Sequence, residues 1–88
     1  MEIKPNSTNA LVDMGICYFE LQNYASADSV MKIAIKIEPQ HQQANFNLGI
    51  VNLAAGKIDE SKEWFKKAIA INPNSEIGKK AEQILQSH

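Results

Sequence analysis

The chain has 88 residues, 44% hydrophobic and 22% charged, with nine lysines, no arginine, ten acids and a net charge of −1. At this length a chain forms one domain in which folding hides roughly 60–65% of the unfolded surface, which leaves little room for a deep catalytic cleft. Balanced charge without a basic face speaks against nucleic acid as a partner, and the absence of any long apolar run against a signal sequence or direct membrane insertion. The expectation is a soluble module, cytoplasmic or excised from a larger or membrane-anchored protein.

Residues 1–7, MEIKPNS, read as an N-terminal leader. From there Leu11, Met14, Tyr18 and Leu21 recur at steps of three and four, which predicts a helix over 8–21. Gln22 and Asn23 form a turn. Met31, Ala34, Ile35 and Ile37 place a second helix over 24–37, and Pro39, which lacks a backbone N–H and clashes with the preceding turn, stops it. Leu48, Val51 and Ala55 mark a third helix over 42–55, closed by Gly56 at a position that favours the left-handed conformation. The fourth, over 58–71, opens with Asp59 and Glu60, favourable to its dipole, and carries Phe65, Ala68, Ile69 and Ile71 before Pro73. Asn74 or Ser75 then caps a last helix over 75–87, apolar at Ile77, Ala81, Ile84 and Leu85, with Lys79, Lys80, Glu82 and Gln83 outside.

The phrase AIKIEP, Ala34 to Pro39, returns 34 residues later as AIAINP. The same offset carries Pro5 to Pro39 and Pro73, Gly15 to Gly49, Ile16 to Ile50 and Lys32 to Lys66. With Leu11, Met14, Gly15, Tyr18, Tyr24, Ala27, Met31, Ala34 and Pro39 in one unit, and Leu48, Gly49, Ile58, Phe65, Ala68 and Pro73 in the next, the chain resembles the tetratricopeptide repeat family. The resemblance implies an all-α fold: a short right-handed α-solenoid of antiparallel helix pairs, five helices in all. Its units would be 8–41 and 42–75, with residues 76–88 as a C-terminal capping helix. Glycine at 15 and 49 and alanine at 27, 34 and 68 suit close helix approach. One helix pair cannot bury its own apolar face, so units must stack, and the stack needs a polar end. The second unit departs from the first at Asn45, Asn52 and Ser61, which replace Leu11, Tyr18 and Ala27. The two asparagines are expected to be less buried than their counterparts.

In that family the first helix of each unit lines a concave groove for a peptide or a partner's helix. Carried to this chain, the groove residues are Asn9, Val12, Asp13, Ile16, Phe19, Gln43, Phe46, Asn47, Ile50 and Leu53. Six of these are sizeable hydrophobes on helices whose other stripe serves the core, and a helix apolar on most sides is expected to be covered on most sides. The function expected is protein binding in an apolar groove. The alternative is homo-oligomerisation, a homodimer burying the same groove; a third reading leaves the face to a neighbouring unit of a longer protein. Some family members grip a terminal carboxylate with cations and amides at places corresponding here to Val12, Ile16, Asn47, Ile77 and Ala81. Asn47 alone fits, so no such clamp is expected.

Nothing points to catalysis. His41 and His88 have no partner Ser, Cys or Asp at useful spacing and are expected to be solvated. No pattern for zinc or nucleotide occurs, so no cofactor or metal is expected. Cys17, the single cysteine, should pack as a small hydrophobe. Trp64 should pack against the next helix rather than anchor a partner, and Asp59, Glu60, Lys62, Glu63, Lys66 and Lys67 should form a solvated face.

Overall fold

The computed structural model describes residues 8–87, so the leader, with Pro5, and His88 lie outside the described residues. Within them are five helices and no strand: α1 (Thr8–Glu20), α2 (Tyr24–Ile37), α3 (Gln42–Ala54), α4 (Ile58–Ile71) and α5 (Glu76–Ser87). The ends fall within one residue of the positions predicted from periodicity. Successive helices pack as antiparallel neighbours, and α3 also touches α1 and α5. The molecule measures 41 × 27 × 18 Å, and 18 Å accommodates two helix layers at the usual spacing of about 8–10 Å but not a third.

Both units turn their first helix into their second by the same backbone device. After α1 the amide of Asn23 donates to Tyr18 O and that of Gln22 to Phe19 O; after α3 Lys57 donates to Asn52 O and Gly56 to Leu53 O. These paired bonds are those of a Schellman closure, which needs one left-handed residue. Gly56 provides it at φ 83° and Gln22 at φ 61°. The units differ again at the next helix start: Asn23 Oδ1 accepts from Ser26 N at 3.3 Å, whereas Lys57 makes no side-chain cap and α4 relies on Asp59 and Glu60 in its first turn. Each unit therefore holds one improvement the other lacks. Gln22→Gly and Lys57→Asn should each raise the unfolding free energy, by up to about 1 kcal/mol, in urea denaturation; a loss in either case would contradict the register of the two turns.

The core runs as two clusters along the stack. Leu11, Val12, Met31, Ala34, Ala44 and Leu48 form the first; Phe65, Ala68 and Ala81 form the second, with Phe46, Ile50, Leu53, Ile69, Ile84 and Leu85 half-buried around it. Close approach is visible at Gly49, where a Cβ would stand 2.6 Å from Phe65 Cε1, and at Gly15, where it would stand 2.6 Å from Met31 Cε. α5 lays Gly78 and Ala81 inward and keeps Lys79, Lys80, Glu82 and Gln83 outside, as expected of a cap; Ser75 rather than Asn74 caps it, accepting from Gly78 N at 3.0 Å.

Several expectations are overturned. Asn45 and Asn52 are each 1% exposed, more buried than Leu11 at 8%. Burying an amide is costly unless it is bonded; Asn45 Nδ2 donates to His41 O and Pro39 O, and Asn52 Nδ2 to Leu48 O and Asp28 Oδ1. His41 is not simply solvated. Half-buried at the start of α3, its Nδ1 accepts from Ala44 N at 3.1 Å, which leaves Nε2 as the donor to Asn9 Oδ1 at 3.1 Å. Cys17 is exposed rather than packed, and Met14 and Leu21, assigned to the inner stripe of α1, are 47% and 77% exposed. Trp64 does pack, but against the first cluster behind it rather than the helix ahead, with Lys67 Nζ 4.3 Å from its ring centre. The charged face of α4 is solvated at Lys66 and Glu63, paired at 3.8 Å; exposed pairs of this kind add little stability.

Candidate functional site

Where α1 and α3 lie side by side, with α2 beneath them, they border a cavity of about 310 Å³. Its walls are Ile16 and Phe19 from α1, Phe46, Asn47, Ile50 and Val51 from α3, and Met31 from α2. Apart from Asn47 the lining is apolar. Two hollows of about 370 Å³ lie elsewhere, one between α2 and α4 beside Gln40, Asn45 and Lys67, the other between α2 and α3 beside Asp28, Ser29 and Lys57. Their mixed walls offer water several polar groups. The apolar cavity does not, which makes it the better place for a ligand's apolar group.

Each wall is set by packing beneath it. Phe19 meets the ring of Tyr24, at the start of α2, with centroids 5.7 Å apart. Phe46 leans on Phe65 of α4, also at 5.7 Å and tilted 56°. Ile50 rests on the second core cluster, and Met31, 0% exposed, forms the floor. Ile16 is the most open wall, 37% exposed. Asn47 Oδ1 accepts from Gln43 Nε2 at 2.9 Å, while its Nδ2 is covered and has no hydrogen-bond partner. A donor left in that state costs about 1–3 kcal/mol.

Of the ten residues assigned to the groove from the sequence, Ile16, Phe19, Phe46, Asn47 and Ile50 meet at this cavity. Gln43 stands behind Asn47, and Asn9 is tied to His41. Asp13 is exposed, and Leu53 leans on the second cluster outside the cavity lining. Val12 is a correction: at 4% exposure it belongs to the first core cluster, because its direction on α1 points inward to Met31 and Leu48 rather than to the open face. Met31 and Val51 were missed, since their spacing marks them as core and only the tertiary arrangement opens one side of each to the cavity. Among the described residues no three or more His, Cys, Asp or Glu gather as metal ligands, and no helix is long and apolar enough to cross a membrane.

Family comparison agrees with the geometry. Residues 9–41 and 42–75 each match a tetratricopeptide repeat model. The chain belongs to the tetratricopeptide repeat family. Its repeats are similar to a small glutamine-rich tetratricopeptide repeat-containing protein 2 of Mycosarcoma maydis, 28% identical over 80 residues, which are 91% of this chain and 23% of that one. A protein O-mannosyl-transferase of Caenorhabditis elegans is 24% identical over 84 residues, covering 96% of this chain and 12% of the enzyme. Anaphase-promoting complex subunit 3 of Schizosaccharomyces pombe is 30% identical over 56 residues, 64% of this chain and 8% of that one. The tetratricopeptide chain thus spans less than a quarter of the length of these relatives. Repeats of this family are generally protein–protein interaction modules and typically non-catalytic.

Proposed function

We propose that this tetratricopeptide module holds an amphipathic segment of a partner protein across α1 and α3, with one apolar side chain seated in the cavity bounded by Ile16, Phe19, Phe46 and Ile50. The observation that carries the reading is the cavity itself: about 310 Å³, open to solvent and almost without polar lining. Such a space is poorly hydrated and gains by taking an apolar group. Asn47 supplies the orienting polar contact: its Nδ2, covered and unpartnered in the free chain, donates to a backbone carbonyl of the bound segment once the side chain turns toward it. A carboxylate-clamping role finds no support, because the open face offers no cation beside Asn47.

A peptide-display selection on the immobilised chain tests the proposal. The sequences recovered should share one or two large apolar residues at helical or alternate spacing, without enrichment of acidic C-termini, and should be lost on an Ile16→Asp counter-target. Recovery of sequences that bind Ile16→Asp equally well would remove the cavity from consideration. Light scattering over a range of concentrations distinguishes the homodimer: a monomer leaves the groove open, whereas a dimer that dissociates in Ile16→Asp means that a second copy fills it.

A further inference from the structure

We infer that the segment seated in the apolar cavity is a cationic one: a large apolar side chain with lysine or arginine close beside it in sequence, on the side that meets α1. The inference rests on the groove reading given above and adds the chemistry of the occupant. α1 and α3, the two helices that border the cavity's open face, carry only two charged residues between them, Asp13 and Glu20, both acidic. Among the described residues every lysine lies elsewhere, on α2, α4, α5 or at the turn residue Lys57. The two acids therefore set the sign of charge beside the cavity, although the chain as a whole, at −1, is nearly neutral.

The acids stand where a ligand would meet them. Asp13 lies three residues before Ile16 and Glu20 four after it, so both share a face of α1 with the cavity's most open wall, roughly 10 Å apart along the helix. Both are exposed, and among the described residues neither pairs with a lysine; the ion pairs there join Lys32 to Asp28 and Lys66 to Glu63. Nor does the fold gain from Glu20, the last residue of α1, where the carbonyl end of the helix repels a carboxylate. Such a rim attracts a cationic segment over about 8–10 Å and turns away one with acidic flanks. α5, beyond α3, exposes Lys79 and Lys80, so the attraction is confined to the α1 side and orients the segment. A second copy of this chain is a poorer occupant. A two-fold contact through this face sets like surface on like, cavity on cavity, and leaves both unfilled.

The test pans one random peptide library on the wild-type chain, on the double variant Asp13→Lys with Glu20→Lys, and on Ile16→Asp. Peptides held by the wild type should carry lysine or arginine within about four residues of the apolar anchor, with aspartate and glutamate depleted. A synthetic peptide from that pool should bind the double variant at least about tenfold more weakly at low salt, and the difference should shrink at high salt. The double variant should select similar apolar anchors with acidic flanks. Both exchanged positions are exposed, so its melting temperature should not fall; should it fail to fold, Asp13→Asn with Glu20→Gln serves instead, with the flank preference lost rather than reversed. An apolar pool without cationic flanks, or one whose flanks are the same on the double variant, overturns the inference and leaves the groove reading standing. No apolar pool, or one that survives Ile16→Asp, overturns the groove reading and the inference with it. A solution mass that rises with concentration in the wild type but not in the double variant assigns the acids to a second copy, and it too overturns the inference.

Discussion

Phe65→Ala will cost the fold about 3–5 kcal/mol, the range for emptying a buried phenylalanine site. Phe65 is 1% exposed, packs with Ala68 of its own helix and Ala81 of α5, and carries the ring of Phe46 at 5.7 Å. At about 0.05–0.15 kcal/mol per residue, a chain of this size holds only about 4–13 kcal/mol in all. The urea midpoint should therefore fall by about a quarter or more with little change in slope. A loss under about 1 kcal/mol would mean that the second cluster collapses around the hole and is not close-packed. The same ring explains Gly49. Gly49→Ala puts a methyl 2.6 Å from Phe65 Cε1, an overpacking expected to cost about 1–3 kcal/mol in the native background. Combined with Phe65→Ala that penalty should vanish, because the methyl then enters the space the ring has left. Additive losses would contradict the contact.

Ile16→Asp will abolish binding of any segment selected on the wild-type chain, with a loss of at least about 2 kcal/mol, or some thirtyfold in Kd, typical of a central interface residue. The fold should survive, because Ile16 is 37% exposed and is absent from both core clusters. Ile50→Asp does not separate the two effects so cleanly. Ile50 lines the same cavity but also rests on the second cluster, so a charge there threatens the packing around Phe65 as well as the groove. Urea denaturation of both variants makes the distinction: a stable Ile16→Asp that still binds would place the contact surface elsewhere, and an unfolded one would make Ile16 a core residue.

Much of this architecture is written in the chain at a spacing that local physics can read. Helix positions follow from three-and-four periodicity, and Pro39, Pro73 and Gly56 punctuate them because of what those residues cannot or can do with their backbones. The 34-residue offset adds the stacking order. What periodicity does not carry is which side of each helix is covered, and the errors concentrate there. Met14 and Leu48 occupy the same place in the repeat, yet one is 47% exposed and the other 0%, since among the described residues only α3 has a helix on that side. Val12 was placed in the groove and lies in the core because a rotation of a fraction of a turn decides between them. Polar residues posed the other difficulty. Asn45 and Asn52 look like breaks in an apolar stripe, and their burial depends on acceptors at Pro39, His41, Leu48 and Asp28, most of which are backbone carbonyls invisible to any pattern of side chains. Gln42 is the same case: its amide donates to Ala68 O and Asn72 O and its carbonyl accepts from Ser75, joining the start of α3 to the corner before α5, and nothing in its sequence context marks it.

At the candidate site, Ile16, Phe19, Phe46, Asn47 and Ile50 could be chosen from the repeat register alone, whereas Met31 and Val51 could not, because a residue that is both floor of a cavity and core of a cluster shows only the core half of its role in the spacing. This division also guides substitution. Changes to Ile16 should read out on binding, and changes to Met31 on stability.

The most direct measurement is a titration of the isotope-labelled chain with a selected peptide, following backbone amide shifts and the side-chain amide of Asn47. The account predicts that the largest changes cluster at Ile16, Phe19, Phe46, Asn47 and Ile50, that the Asn47 Nδ2 protons move downfield on gaining an acceptor, and that Ile16→Asp erases the response. Shifts centred on the exposed α2 residues Ile33 and Ile37, or on the hollow beside Lys67, with the Asn47 amide unmoved, would contradict it.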